Sequence, residues 1–189
     1  MAEDRLRLFV AVRVPEPVLT GLQTAAEPLR RELPGGRWVD VSNQHITVKF
    51  LGWVDGHRLA DVGKVVAETA GIHAPAMLSI GELGSFPSPT RVRVLWAGIV
   101  DEESLLARVA ADLDRRLAPL GFEPESRPYR PHLTLARFRE PVRVTKPLSV
   151  TLAEGRPWPV TSLELFRSHL SPRGAQYEPL ATATLGDRR

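Results

Sequence analysis

The 189-residue chain contains no cysteine, and that absence removes three chemistries together. Disulfides, iron–sulfur clusters and thiol nucleophiles all need the missing sulfur. No apolar stretch approaches the roughly 18 residues that span a bilayer, so no membrane association is expected. The opening Met1-Ala2-Glu3-Asp4 lacks the basic-then-apolar order of a secretory leader, and the expected location is the cytoplasm. Lysine is scarce too: Lys49, Lys64 and Lys146 are the only three. The net charge of +3 therefore rests on arginine, whose planar fork suits phosphate. The arginine excess as a whole reads as compositional; only arginines beside a chemical motif carry a functional expectation. There is no HExxH pair, no Walker loop and no clustered carboxylate set, which excludes zinc proteases, P-loop enzymes and two-metal nucleases. What remains is an ordinary globular composition, 43% hydrophobic and 25% charged, long enough for one domain or two small lobes sharing a core.

Against those absences stands one repeated pattern. Residues 45–48 read His45-Ile46-Thr47-Val48, and residues 132–135 read His132-Leu133-Thr134-Leu135. In a strand, alternate side chains share a face. His45 and Thr47 would then face one way while Ile46 and Val48 enter a core, and the second tetrad repeats the arrangement. Two imidazoles can serve as a general acid and a general base, and two hydroxyls can hold phosphate oxygens. The tetrads lie 87 residues apart, too far for a local metal motif, so the histidines must meet through folding.

The periodicity predicts a strand over Leu6–Val14, then a helix from Pro15-Glu16-Pro17 to about Leu33, kinked at Pro28. The first tetrad lies in an extended stretch, Trp38–Leu51. Asp55 or Gly56 is expected to cap a second helix over His57–Thr69, with Leu59, Val62, Val65 and Val66 inside. Strands over Ala76–Leu83 and Arg91–Val100 lead to a third helix after Asp101. Its apolar stripe is Leu105, Leu106, Val109, Leu113, Leu117 and Leu120, and it ends at Gly121. Strand Arg130–Arg137 delivers the second tetrad. Val160–Leu170 and Gln176–Leu185 read as a hairpin around Ser171-Pro172-Arg173-Gly174, and Pro141, Pro147, Pro157 and Pro159 mark loops.

The two tetrads, the second inside Arg127-Pro128-Tyr129-Arg130-Pro131-His132-Leu133-Thr134-Leu135-Ala136-Arg137, resemble the 2H phosphoesterase superfamily. The closer resemblance is to the bacterial and archaeal RNA 2′,3′-cyclic phosphodiesterases, also called 2′-5′ RNA ligases. It extends through Arg7–Val12, Arg37-Trp38-Val39, Phe50-Leu51-Gly52, Phe86-Pro87, Arg93–Trp96 and Leu120-Gly121-Phe122. The resemblance implies an α+β, bilobal, pseudo-symmetric fold over residues 1–189. Two antiparallel sheets with flanking helices would form a central groove carrying the two motifs. It implies a hydrolase that opens RNA 2′,3′-cyclic phosphate ends, or small cyclic nucleotides, to 2′-phosphomonoesters. It assigns His45 as proton donor and His132 as proton acceptor, a choice that the near-symmetric tetrads do not make by themselves.

Thr47, Thr134 and Arg130 are the expected substrate-binding residues, Arg130 because it shares parity with His132. Lys49 shares parity with His45 but lies farther along the strand, whereas Arg137 has the opposite parity. Phe50, Phe86 and Tyr129 could stack on a base, though each reads first as core. His57, His73 and His169 lack a companion threonine and are expected to be structural, His57 at a helix start and His73 in a loop. The scheme needs no metal or other cofactor, and no obligatory protein partner is evident. Joining of RNA halves through a 2′-5′ bond, and RNA-end binding without turnover, are the competing functions. The second makes no use of two titrating imidazoles.

Overall fold

The apolar run near the start of the chain folds as strand β1 (Arg5–Val12), buried on both faces. Leu6, Leu8, Val10 and Val12 enter the main core, while Phe9 and Ala11 pack with Phe166 on the other side. The computed structural model describes residues 5–144, 148, 157–171 and 174–186. Within them follow α1 (Glu16–Glu32), β2 (Arg37–Trp38), β3 (Ile46–Asp55), α2 (Leu59–Ile72), β4 (Ala76–Ser88) and β5 (Arg91–Val100). Then come α3 (Leu105–Leu117), β6 (His132–Arg143), β7 (Trp158–Val160), β8 (Ser162–Ser171) and β9 (Gly174–Thr184).

The strands make one antiparallel path in the order β7-β4-β5-β6-β3-β1-β8-β9, with β2 added beside β6. The path divides naturally in the middle. β6 and β3 share a single register pair, Ile46 with Leu133, whereas the pairs on either side run over many residues. Two antiparallel halves therefore meet edge to edge at the two tetrad strands within one continuous sheet. α2 and α3 pack on each other, α2 against β8 and β9 and α3 against β3. α1 is tied toward the β6 half, where Gln23 donates to the carbonyl of Val39 and the Val39 N–H donates to that of Leu135.

Each helix follows its apolar stripe. α3 buries Leu105, Leu106, Val109, Leu113 and Leu117, and the Asp101 carboxylate accepts the N–H groups of Leu105 and Leu106 at 2.9 and 2.8 Å. Gly121 adopts φ +77°, the left-handed conformation that ends the segment. α2 starts later than expected. Gly56–Arg58 tighten into a 3-10 turn without a side-chain cap, and Arg58 reaches across to the Leu120 carbonyl and the Phe122 ring. Pro28 lies inside α1 without ending it. Pro141 and Pro159 fall within β6 and β7 rather than in loops. The tail is the expected hairpin, β8 against β9, although Pro172, Arg173 and Pro147 lie outside the described residues.

Candidate active site

Ile46 and Leu133, fully buried where the halves meet, define what lies on the opposite face. Continuing their antiparallel register one residue each way sets His45 toward Thr134 and Thr47 toward His132. The four polar residues of the two tetrads thus share one face of the join, all partly exposed.

Both strands then bulge at the last residue of the tetrad. In β3, Thr47 opposes Ala11 and Lys49 opposes Val10, so Val48 is the extra residue. In β6, Thr134 opposes Trp96 and Ala136 opposes Leu95, so Leu135 is extra. A bulge reverses the alternation beyond it. Lys49 is turned toward the core side, while Phe50, opposite Phe9, shares the face of His45 and Thr47. By the same step Ala136 is buried and Arg137 comes round to the face of His132 and Thr134. Simple parity therefore fails at both positions: Lys49 turns toward the core, and Arg137 shares the face of His132 and Thr134.

Lys49 has a different task. Only 7% exposed, it donates to the Glu123 carbonyl at 2.7 Å and pairs with Asp114 of α3. Asp114 also accepts the Glu125 N–H, so the pair braces the loop that leads into β6. Tyr129 on the same loop donates its hydroxyl to the Thr47 carbonyl at 2.9 Å, tying the second tetrad's approach to the first tetrad's strand. Burial raises the Tyr129 phenol far above its ordinary range and keeps it a donor.

The two imidazoles are held alike. His45 Nδ1 lies 3.0 Å from the Asn43 carbonyl, and His132 Nδ1 lies 2.7 Å from the Arg130 carbonyl, in each case two residues upstream. A carbonyl only accepts, so each Nδ1 carries the hydrogen and each Nε2 is left for chemistry. Their surroundings differ. His45 is stacked on Phe9 at 4.7 Å, lies beside Phe166 and meets Tyr177 edge-on at 4.8 Å. This aromatic box strips water from the ring, and the His45 pKa falls to about 4: desolvation is the main cause, opposed by the Asn43 carbonyl and aided by the charges of Arg137, Arg13 and His132. His132 contacts Phe86 edge-on at 5.4 Å and Trp96 at 5.9 Å and faces a cleft of ≈ 870 Å³. That cleft draws its lining from both halves, including Thr47, Phe50, Arg93 and Arg130.

The other expected residues resolve as follows. β6 begins at His132, so Arg130 is not in an unbroken strand; its side chain is exposed on the cleft wall and its carbonyl orients His132. Phe50 is about half exposed rather than core, while Phe86 and Tyr129 are partly buried in the cleft wall. His57 is exposed in its 3-10 turn, and His169 meets Glu178 across the β8–β9 hairpin at 2.7 Å. His73 lies just past α2 in extended backbone, as expected of a loop residue, but buried, with Nε2 2.7 Å from Asp112 of α3. Among the described residues no three potential metal ligands lie together.

The model of LigT-like phosphoesterases matches residues 12–96 and 99–177. The chain belongs to this family. An RNA 2′,3′-cyclic phosphodiesterase of Methanothermobacter thermautotrophicus is 32% identical over 178 residues, covering 92% of this chain and 95% of the relative. One from Methanocaldococcus jannaschii is 30% identical, covering 92% and 97%. Among solved structures, a Thermus thermophilus protein superposes with a TM-score of 0.80 at 29% identity, covering 97% of this chain and all of that one. Escherichia coli LigT with 3′-AMP shares the fold at 23% identity, with a TM-score of 0.81, covering 96% of this chain and 99% of that one.

Proposed function

We propose that this LigT-like phosphoesterase acts in the cytoplasm as an RNA 2′,3′-cyclic phosphodiesterase, leaving a 2′-phosphomonoester. One domain of two related halves, residues 1–189, supplies one histidine and one threonine from each half. The observation that supports this reading is the matched pair of Nδ1–H donors to backbone carbonyls, which leaves the Nε2 of each imidazole for chemistry. His132 Nε2 takes the proton from an attacking water; the bond from phosphorus to the ribose 3′ oxygen breaks; His45 Nε2–H protonates that oxygen. Thr47 and Thr134 hydroxyls donate to the non-bridging oxygens, and Arg137 and Arg130 supply opposite charge.

Resting His45, with its pKa near 4, is neutral at pH 7 and has no proton on Nε2 to give. An entering phosphodiester anion offsets the nearby arginines and accepts from Nε2–H, so substrate binding itself favours the acid form. Nothing in the scheme passes through a metal ion. The test is turnover of cytidine 2′,3′-cyclic phosphate in EDTA, with the product identified by phosphorus NMR. A 2′-phosphate is expected. A 3′-phosphate as the main product would reverse the two histidine roles, and no turnover would end the reading.

A further inference from the structure

The groove face of the β3-β1-β8-β9 half carries more aromatic surface than two histidines need. Phe50 is 49% exposed and Trp53 is 54% exposed, both on β3. The register explains why they share a face. Phe50 opposes Phe9 and Trp53 opposes Arg7, whereas Gly52 opposes Leu8, which is buried in the core. A second bulge, at Leu51, keeps both rings on the open side, and Gly52 takes the positive φ of +69° that accompanies it.

The rings form a connected row from the catalytic pair outward. His45 stacks on Phe9, Phe9 on Phe50 at 5.9 Å, and the Arg7 guanidinium lies 4.6 Å from the Phe50 centroid. Arg7 is steadied by Ser168 Oγ at 3.1 Å and has no carboxylate partner among the described residues. Arg5, next along the same strand, donates to the Trp53 carbonyl. Exposed aromatic rings interleaved with arginine on an open four-stranded sheet are the physical requirement for holding single-stranded nucleic acid. Bases stack on rings and guanidinium planes, and phosphates take the charge.

We propose that this face is the bed for the nucleotides immediately 5′ of the cyclic phosphate, with bases on Phe50 and Trp53 and backbone phosphate on Arg7. The inference rests on the hydrolytic reading for its direction along the chain: the reacting phosphate lies at the tetrads and the RNA runs away over β3. Three residues of strand, roughly 10 Å, separate Phe50 from Trp53, room for about two stacked nucleotides beyond the reacting one. The preferred substrate is therefore an RNA oligomer with a cyclic phosphate end rather than a free cyclic nucleotide.

The test compares cytidine 2′,3′-cyclic phosphate with RNAs of two, three and five nucleotides ending in the same group. Wild type, Trp53→Ala and Trp53→Phe are assayed, and binding of 3′-phosphorylated RNAs of the same lengths is read in parallel by fluorescence anisotropy. Wild-type kcat/KM and affinity should rise to about three nucleotides. Trp53→Ala should lose about 5- to 100-fold on the longer RNAs only, while Trp53→Phe keeps the gain. Equal kcat/KM for one and five nucleotides, or an unchanged gain in Trp53→Ala, would overturn the proposal while leaving the hydrolytic reading intact. Should even the mononucleotide resist turnover, the hydrolytic reading falls, and the anisotropy series still decides whether the face holds RNA.

Discussion

The two tetrads are near copies in sequence, yet His45 and His132 sit in unlike places. Both donate Nδ1–H to the carbonyl two residues upstream, and both strands bulge after the threonine. The differences come from neighbours distant in sequence. His45 is enclosed by rings from β1, β8 and β9, while His132 meets Phe86 and Trp96 from β4 and β5 and opens onto the large cleft. A repeated motif supplies equal chemical parts; the packing around the first copy encloses His45 in rings and lowers its pKa.

The largest effects should come from breaking the pair itself. His45→Ala and His132→Ala should each lower kcat on a cyclic phosphate by roughly 10²- to 10⁴-fold. Because the proposed mechanism uses both in one step, the double variant should be scarcely worse than either single one. Additive losses would mean that the two imidazoles do not serve the same transition state.

Smaller losses should follow from the hydroxyls. Thr47→Val and Thr134→Val remove the hydroxyls proposed to donate to phosphate, and each should cost roughly 1–3 kcal/mol in transition-state binding. Each threonine should cost less than the histidine of its own tetrad. A Thr47→Val enzyme as slow as His45→Ala would shift the weight of catalysis from proton transfer to anion binding.

The extent to which the sequence carried this arrangement depends on range. Alternation and helical spacing placed the strands, the buried stripe of α3 and the Ile46 and Leu133 backing of the two motifs. The bulges at Val48 and Leu135 did not show, because one extra residue in a strand leaves hydropathy nearly unchanged while reversing every side chain after it. For that reason parity puts Arg137 on the wrong face and aligns Lys49 with His45. The box of Phe9, Phe166 and Tyr177 around His45 was equally hidden, since it joins three strands from both ends of the chain. Exposure of Phe50 and Trp53 likewise depends on register rather than on residue type.

The smallest functional effect should come from a histidine outside both tetrads. His73→Ala should leave kcat unchanged, because its imidazole joins α2 to Asp112 of α3 far along the chain from either motif. Stability should fall by about 1–3 kcal/mol as a buried hydrogen bond is lost, read as a lower denaturant midpoint. A parallel loss of kcat would extend the site beyond the two tetrads.

The effect of its packing on His45 is open to direct observation by NMR titration of that imidazole, free and with saturating inorganic phosphate. Free His45 should stay neutral until the pH falls to about 4, against an ordinary 6.5. Phosphate should move that midpoint upward, so binding near pH 6 should take up protons and weaken as the pH rises. Arg137→Ala should raise the free midpoint as well, by removing one of the charges that opposes protonation. An ordinary His45 midpoint, unmoved by phosphate, would contradict the claim that packing around the first tetrad sets its proton chemistry.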